Sequence, residues 1–435
     1  MAKDRFWPTT EVLGLAQAPP LPWSAAVGQP SGHPSRMAMM VTPTMKVDPM
    51  SQSTGEFQEI AHSGGKLVIR VRTNDGGGKS YQLHWSSSRP NPSTLIQLFA
   101  LPQGIPLEPI SAVGIGVPIP APSVLGAYMV MVASDSTGKF GHHCPVCREY
   151  WRSEPWPWTC PYCRAEVPSL DFLSDAQRAY VDQFCRALMN ALDADNDSDI
   201  EIDMDKVADA VGSSTPKPAF YVSEQSQQHQ FRCVACGTFN DILGTYGYCS
   251  DCGTRNDLAV FEKETVPEIR KALNGGGRPE NALRDSVAAF DSFVGQYAKQ
   301  LAKLVPLTTG RKDRLQKRFH DFRGTLALFR DIFDIDLAKD LKPADIDFLA
   351  LRFHRRHVFE HKGGEADEHY LATSGDTSVK LKQTIRETQD GAHELLGLLV
   401  RAANNLHKGF HSLIPVRAEP IESHATRVSR RRSPG

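Results

Sequence analysis

The sequence lacks several features that would place it in a functional class. Its 49 basic and 50 acidic side chains give a formal net charge of −1, so the whole chain has no electrostatic attraction to nucleic acid. No basic segment followed by an apolar core opens the chain, so no signal peptide is predicted. Only Cys185, of nine cysteines, lies outside a Cys-x-x-Cys pair. We therefore expect a cytoplasmic protein whose paired cysteines bind metal and form no disulfides.

A long apolar run that could form a membrane helix is also missing. Residues 109–134 carry no charge and are long enough to span a bilayer. However, Pro118, Pro120 and Pro122 alternate through the middle of this segment. A lipid-exposed helix would leave backbone groups there without hydrogen bonds. We predict buried strand and loop in this segment, and no membrane span.

Outside the cysteine pairs and the helical part, the chain divides into segments of distinct composition. Residues 1–63 are rich in Pro, Ser, Gln and Met and have little periodicity, so we predict that they are disordered. A small β domain is predicted over residues 64–137, where alternating strands flank a Gly-rich turn. A helical and acidic connector is predicted over residues 169–212, and a disordered basic tail over residues 416–435.

The strongest signal in the sequence is a repeated cysteine spacing. Two Cys-x-x-Cys pairs, twelve residues apart, occur twice, at Cys144, Cys147, Cys160 and Cys163 and again at Cys233, Cys236, Cys249 and Cys252. Such spacing brings four thiolates to the corners of a tetrahedron, which suits a structural Zn²⁺ site. Both units resemble zinc ribbons, so we predict ribbons over residues 138–168 and 213–262, each holding one Zn²⁺. A redox pair is the alternative for any single Cys-x-x-Cys, but two matched sets argue against it.

The role of the ribbons has two interpretations at this point. The first ribbon carries Trp151, Trp156 and Trp158 together with several arginines. Aromatic rings and arginine together can stack on nucleic-acid bases. The same rings can instead pack a small core around the metal. We favour packing over RNA contact.

Helical periodicity extends over residues 263–415. The apolar spacing predicts helices at 281–304, 313–335, 344–361 and 378–405. Four helices joined by modest loops predict an antiparallel bundle. The predicted fold class is therefore α+β and multidomain, with a small N-terminal β domain, two zinc ribbons and a C-terminal antiparallel helical bundle.

The end of the third predicted helix carries a motif. It reads Arg356-His357-x-x-x-His361, and the Gly-Gly turn after it supplies the left-handed residue that stops a helix. This arrangement resembles the Arg-x4–6-His signature of HEPN domains. The resemblance implies an all-helical bundle that is often dimeric. Many members of that family are metal-independent RNA endonucleases of toxin, abortive-infection and antiviral systems, whereas others only bind or scaffold. Lys362 departs from the pattern, since many relatives carry Asn after the motif His.

The residue types in this motif suit metal-independent RNA cleavage. Histidine can move protons near neutral pH, and arginine stays charged and grips phosphate. On this resemblance Arg356 would hold phosphate, His361 would act as general acid and base, and His357 would be the polar second residue. Arg356 and His361 lie about 140° apart around a helix. The resemblance therefore implies that a homodimer completes the site with residues from both chains.

Two alternative functions are predicted. The first is a metal-independent RNA endonuclease that acts in stress response or phage defence and leaves a 2′,3′-cyclic phosphate, with an antitoxin or defence partner left open. The second is a non-catalytic scaffold that binds RNA or protein. His357 and His361 share a helix face and also permit a metal site, although the His-Glu-x-x-His order is absent.

Overall fold

The computed structural model has sheets in its N-terminal part and helices in its C-terminal part. It describes residues 46–47, 66–87, 94–110, 120–134, 138–203, 206–207, 210, 228–317 and 319–432. The predicted disordered segment, residues 1–63, lies outside the described residues except for the two-residue strand β1. The predicted α+β class is confirmed at this level, with small, mainly antiparallel sheets followed by a helical region.

The N-terminal domain contains two sheets. Its strands are β1 (Lys46–Val47), β2 (Lys66–Thr73), β3 (Lys79–Ser87), β4 (Leu95–Ala100), β5 (Pro106–Ile110), β6 (Tyr128–Ala133) and β9 (Ser198–Asp203). One sheet has the order β1-β3-β2-β9, and the other has β5-β4-β6. Leu67, Ile69 and Val71 alternate with exposed residues along β2, so one face of this strand is buried. The uncharged segment 109–134 supplies the end of β5 and all of β6, and no helix among the described residues is long and apolar enough to cross a membrane.

A helix packs against both sheets. Helix α1 (Asp175–Asp193) begins at a capping box formed by Ser174 and Gln177. Its apolar stripe, which includes Tyr180 and Phe184, is buried in the same core as the strands of the two sheets. Residues 169–212 are therefore not a separate connector, because α1 covers this core and β9 pairs with β2 along six residues.

The two ribbons share one sheet. Its strands are β7 (Phe140–His143), β8 (Tyr150–Ser153), β10 (Gln228–Arg232) and β11 (Phe239–Leu243), in the order β10-β11-β8-β7. Strand β11 of the second ribbon pairs with β8 of the first, and the Arg152 Nε donates a hydrogen bond of 2.9 Å to the buried Asp241 carboxylate across this pair. The sequence predicted two separate units. Their cores are too small to stand alone, and edge pairing between β8 and β11 combines them.

The C-terminal region is helical from residue 257. Its helices are α2 (Asp257–Val260), α3 (Val266–Asn274), α4 (Pro279–Leu301), α5 (Thr309–Lys317), α6 (Phe322–Phe333), α7 (Pro343–His361), α8 (Glu368–Ser374), α9 (Gln389–Leu413) and α10 (Ala418–Arg432). A π-helical segment, Phe261–Thr265, joins α2 to α3. Helices α4, α7 and α9 supply much of one hydrophobic core. The third predicted helix matches α7, whereas the second is split into α5 and α6, and the fourth begins only at Gln389 behind the Thr388 cap.

The predicted disordered tail is wrong for most of its length. Residues 418–432 form α10, and Ile421 packs against the cysteines of the second ribbon. Arg417, just before the helix, lies 3.4 Å from the Asp251 carboxylate and covers the Trp158 ring at 4.6 Å. The basic composition suggested a solvated tail. However, Ile421, His424 and Val428 repeat on one side of the helix, and that side is half-buried.

Candidate functional site

Both cysteine sets converge. In each set the four sulfurs lie within 4.8 Å of one another. The Sγ atoms of Cys144 and Cys163 lie 3.7 Å apart, and those of Cys236 and Cys249 lie 3.5 Å apart. Zn–S bonds of about 2.3 Å in a tetrahedron place neighbouring sulfurs roughly 3.8 Å apart. The two tetra-cysteine clusters therefore have the dimensions of four-sulfur zinc sites, as the spacing predicted.

The turns that carry the cysteines differ between the two ribbons. In the second ribbon Gly237 and Gly253 take φ values of +78° and +75° after the second cysteine of each pair. In the first ribbon Arg148 and Arg164 occupy the same positions at φ +64° and +63°. This left-handed conformation is free of strain only for glycine. The first ribbon therefore keeps the same turn geometry at a conformational cost.

The aromatic residues of the first ribbon serve packing. Trp151 is fully buried and meets Phe172 edge to face with ring centroids 5.2 Å apart. Trp156 packs against the core of the N-terminal domain. Trp158 is 43% exposed, but the Arg417 guanidinium covers its ring. These contacts support the packing interpretation over base stacking.

The Arg–His motif ends α7 as predicted. Phe353 and Val358 are buried and hold the helix against its neighbours. After His361, Gly363 and Gly364 take φ values of +61° and +85°, and the Gly364 N–H donates to the Val358 carbonyl. This glycine turn ends the helix and leaves its last polar residues at the rim of a cleft.

The three predicted site residues line one cleft. Its volume is about 940 Å³, and Arg356, His357 and His361 lie along it. The Arg356 Nη2 lies 2.9 Å from the Glu360 Oε2, and the His361 Nε2 lies 3.8 Å from the same oxygen. The His357 and His361 rings are 4.8 Å apart. Arg356 and His361 therefore converge on Glu360 within one chain, although their helix positions predicted separate faces.

One N–H group of Arg356, a residue that lines the cleft, has no hydrogen-bond partner in the part of the chain that the structure describes. Its side chain is only 15% exposed, and its Nη1 lies 3.5 Å from the His320 Nδ1. Its Nε is buried and has no hydrogen-bond partner among the residues that the structure describes. A buried guanidinium N–H without a partner loses solvation and gains nothing in return. The Arg356 side chain is therefore held by Glu360 and His320 at the cleft, with one N–H group left unsatisfied among the described residues.

Three further histidines line the cleft, and sequence reasoning missed them. They are His320, His354 and His369. The His320 Nδ1 lies 3.6 Å from the Asp291 carboxylate of α4, and burial raises the pKa of Asp291 although His320 and Arg356 oppose this shift. Burial lowers the pKa of His354. No spacing rule links these positions, because the fold brings them together from α4, α7, α8 and the segment between α5 and α6.

A buried network holds the wall of the cleft. Arg355 points away from the cleft, and its Nη2 lies 2.9 Å from the Asp376 carboxylate and its Nη1 3.4 Å from that of Glu387. Tyr370 donates to Asp376 at 2.6 Å. Burial would raise the pKa of Asp376, but hydrogen bonds from Ser378, Tyr370 and Arg355 hold it below its usual value. The network therefore fixes α8, which carries His369, against α7.

The arrangement combines a partly buried guanidinium, histidines and a carboxylate in a cleft that is wide enough for a nucleotide. Such groups can bind a phosphate and transfer protons around it. Among the described residues, only the two cysteine sets bring metal-ligating atoms close enough to hold an ion, so the geometry of His357 and His361 gives no support to a metal site in the cleft. No protein-family model, curated protein or solved structure matches this chain.

Proposed function

We propose that the protein is a metal-independent RNA endonuclease of the HEPN type, with its centre in the cleft at the end of α7. The observation that carries this proposal is the convergence of Arg356, His357 and His361 on one cleft, where Arg356 and His361 both approach the Glu360 carboxylate. The two cysteine sets serve as structural zinc sites and take no part in the reaction.

In the proposed reaction the 2′-oxygen of a ribose attacks the neighbouring phosphorus. One histidine removes the 2′-hydroxyl proton, and another gives a proton to the departing 5′-oxygen. The products are a 2′,3′-cyclic phosphate and a 5′-hydroxyl end. His361 suits proton transfer because its side chain is 57% exposed at the cleft rim, and His357 lies beside it.

Arg356 would stabilise the charge that develops on the phosphorus oxygens. In the free protein Glu360 pairs with it and offsets its charge. A bound phosphate would share or replace this partner. Because Arg356 is held between Glu360 and His320, little ordering of its side chain remains to be done when substrate binds.

The biological setting that we propose is stress response or phage defence in the cytoplasm. A nuclease of this kind acts on the RNA of its own cell, so we propose that a partner restrains it until it is needed. We also propose a homodimer through the helical bundle. Each chain already holds Arg356 and His361 together, so the role of a dimer would be to enclose the RNA between two clefts.

The variants His361→Ala and Arg356→Ala test the proposal. Each removes one function at the same transition state, so each should lower the single-turnover rate of RNA cleavage by about 10²–10⁴, and the two losses should not add. The matched control is His393→Ala on α9, whose Nε2 bonds to Asn274 outside the cleft. Its rate should stay that of the wild type.

Two outcomes would contradict this assignment. If His361→Ala cleaves RNA as fast as the wild type, the cleft is not the catalytic centre. If the wild type binds RNA with a salt-dependent affinity but never cleaves it, the chain is an RNA-binding scaffold.

A further inference from the structure

We propose that the protein has a second phosphate-binding site, a basic groove between α10 and the second ribbon, which holds the backbone of single-stranded RNA. The groove has a volume of about 410 Å³. The charged residues that line it are Arg232, Arg427, Arg431 and Glu154, and His424 lies beside them. It is a separate surface from the Arg–His cleft, with which it shares no lining residue.

The groove exists because α10 is docked on the ribbon. The Arg417 N–H donates to the Cys252 carbonyl at 2.9 Å, just before the helix begins. Ile421 packs against the cysteines of the second ribbon. One turn later His424 lies directly over Gly237, where an added Cβ would come within 2.5 Å of the His424 ring. These contacts fix the first half of α10, and the rest of the helix extends its arginines along the groove.

The three arginines of the groove have no ion-pair partner among the described residues. Arg427 and Arg431 are exposed and lie four residues apart, so they share one face of α10. Across the groove Arg232 is exposed on the ribbon and donates only to the Gly237 carbonyl. In the part of the chain that the structure describes, no carboxylate lies within ion-pair distance of these three arginines.

The acidic residue of the groove is already neutralised. The Glu154 carboxylate lies 2.7 Å from the Lys139 ammonium. Three guanidinium groups around a concave surface therefore attract a polyanion from outside the molecule. Because the whole chain carries a net charge of only −1, this attraction is a property of the groove and not of the protein as a whole.

Nucleic acid fits this groove better than a membrane does. A helix that lies on a bilayer inserts an apolar face, but the apolar residues Ile421 and Val428 of α10 are half-buried on the ribbon side. Guanidinium groups match phosphate oxygens in a bidentate manner and tolerate any base sequence. The choice of RNA over DNA rests on the proposed function, whereas the phosphate chemistry does not.

Binding of an RNA that cannot be cleaved tests the groove. The probe is 2′-O-methyl oligouridine of about 20 nucleotides, which has no 2′-hydroxyl for attack and binds regardless of whether the cleft is active. The double variant Arg427→Gln, Arg431→Gln in the full chain should bind it about tenfold more weakly at moderate salt, and the slope of log affinity against log salt should fall by about 1.4. The control pair Arg186→Gln, Arg330→Gln removes the same charge from other exposed surfaces and should bind like the wild type.

Each outcome decides the proposal. A groove variant that binds as tightly as the control pair, or a wild type that does not bind the probe, would overturn it. If the groove variant loses affinity equally for the RNA probe and for vesicles of phosphatidylserine and phosphatidylcholine, the groove is a membrane-binding surface instead. Cleavage is not measured here, so an inactive cleft with groove-dependent binding would refute the nuclease and leave the groove standing.

Discussion

The cysteine clusters and the Arg–His cleft differ in how far along the chain their residues lie. Each cluster draws all four sulfurs from a span of 19 residues, from turns whose geometry is set locally. The cleft draws its side chains from positions between His320 and Thr373, on elements that are held together by the bundle core and by the Arg355 network. We therefore expect the clusters to depend on a bound metal, whereas the cleft depends on packing.

Replacement of one cysteine in each ribbon should give the largest effect that distinguishes the clusters from the cleft. Zinc binding is worth on the order of 10–16 kcal/mol, which is most of the folding free energy of such a small unit. Cys147→Ser should lower the zinc content from two ions per chain to one, and so should Cys236→Ser. Only Cys236→Ser should also release α10, because Ile421 and His424 dock on the second ribbon.

Elemental analysis and limited proteolysis after residue 417 measure these two effects. The bundle should keep its protection in both variants, since its core contains none of the eight paired cysteines. Wild-type protein that contains almost no zinc would remove the basis of the comparison.

Loss of Arg355 should destabilise the wall of the cleft without changing the zinc content. Arg355→Ala leaves the buried Asp376 carboxylate without its cation and leaves Glu387 with Arg352 alone, and the loss of a buried partner costs about 3–5 kcal/mol. The control is Arg323→Ala, whose partner Asp347 is exposed, so its cost should be below about 1 kcal/mol. Urea unfolding gives both values, and zinc content should stay unchanged. Equal costs for the two variants would show that the network does not support the wall of the cleft.

Acid should destabilise the bundle around His407 and His411, two partly buried histidines of α9. His407 bonds to the Tyr297 hydroxyl at 2.7 Å, and burial lowers its pKa to about 3; burial also lowers the pKa of His411, to about 4. The unfolded chain takes up these protons below about pH 6.5 and the folded chain does not. The free energy of unfolding should therefore fall by about 1.4 kcal/mol per pH unit for each histidine as the pH drops from about 6.5 towards 4.

The variant His407→Gln isolates one of these groups. Its free energy of unfolding should change less between about pH 7 and pH 5 than that of the wild type, by roughly half of the histidine contribution. Zinc content is measured at both pH values, so that metal release is not mistaken for histidine titration. An unchanged pH dependence would mean that His407 is protonated in the folded protein.

The turns of the two ribbons give the smallest predicted effects, of opposite sign. Gly237→Ala should destabilise the second ribbon by about 1–2 kcal/mol, since alanine avoids positive φ and its Cβ would meet the His424 ring. Arg148→Gly should stabilise the first ribbon by about 0.5–1 kcal/mol, because the exposed Arg148 is held at φ +64°. Thermal unfolding compares the two. A Gly237→Ala protein as stable as the wild type would show that α10 is not docked closely on this turn.

Features that depend on local spacing could be predicted from the sequence. Three such features are the cysteine sets, the start of α7 at Pro343 and its end at the Gly-Gly turn. Each depends on neighbours in the chain, and the structure has it where it was expected. The first predicted helix, residues 281–304, matches α4 as far as Leu301, and both Leu283 and Leu301 are buried. The prediction was wrong at its end, because Leu304 lies beyond the helix and is 54% exposed.

Features that depend on contacts between distant segments were not predicted. Three features need a partner from far along the chain. They are the pairing of β8 with β11, the role of α1 in the N-terminal core and the docking of α10. The same holds for the cleft, because His320 is adjacent to Arg356 only after the segment between α5 and α6 has packed beside α7. The sequence of a basic helix with a narrow apolar side predicts a solvated tail when the surface on which the helix packs is not known.

The end groups of cleaved RNA test the central claim most directly. Full-length protein is incubated with single-stranded RNA in magnesium-free buffer that contains EDTA, and its zinc content is measured afterwards so that loss of zinc is not mistaken for loss of the cleft. We predict cleavage that leaves 2′,3′-cyclic phosphate and 5′-hydroxyl ends, and none at a site where the 2′-hydroxyl is methylated. Cleavage that requires added Mg²⁺ and leaves a 3′-hydroxyl would contradict the proposal, because water would then be the nucleophile and the histidines of the cleft would not be needed.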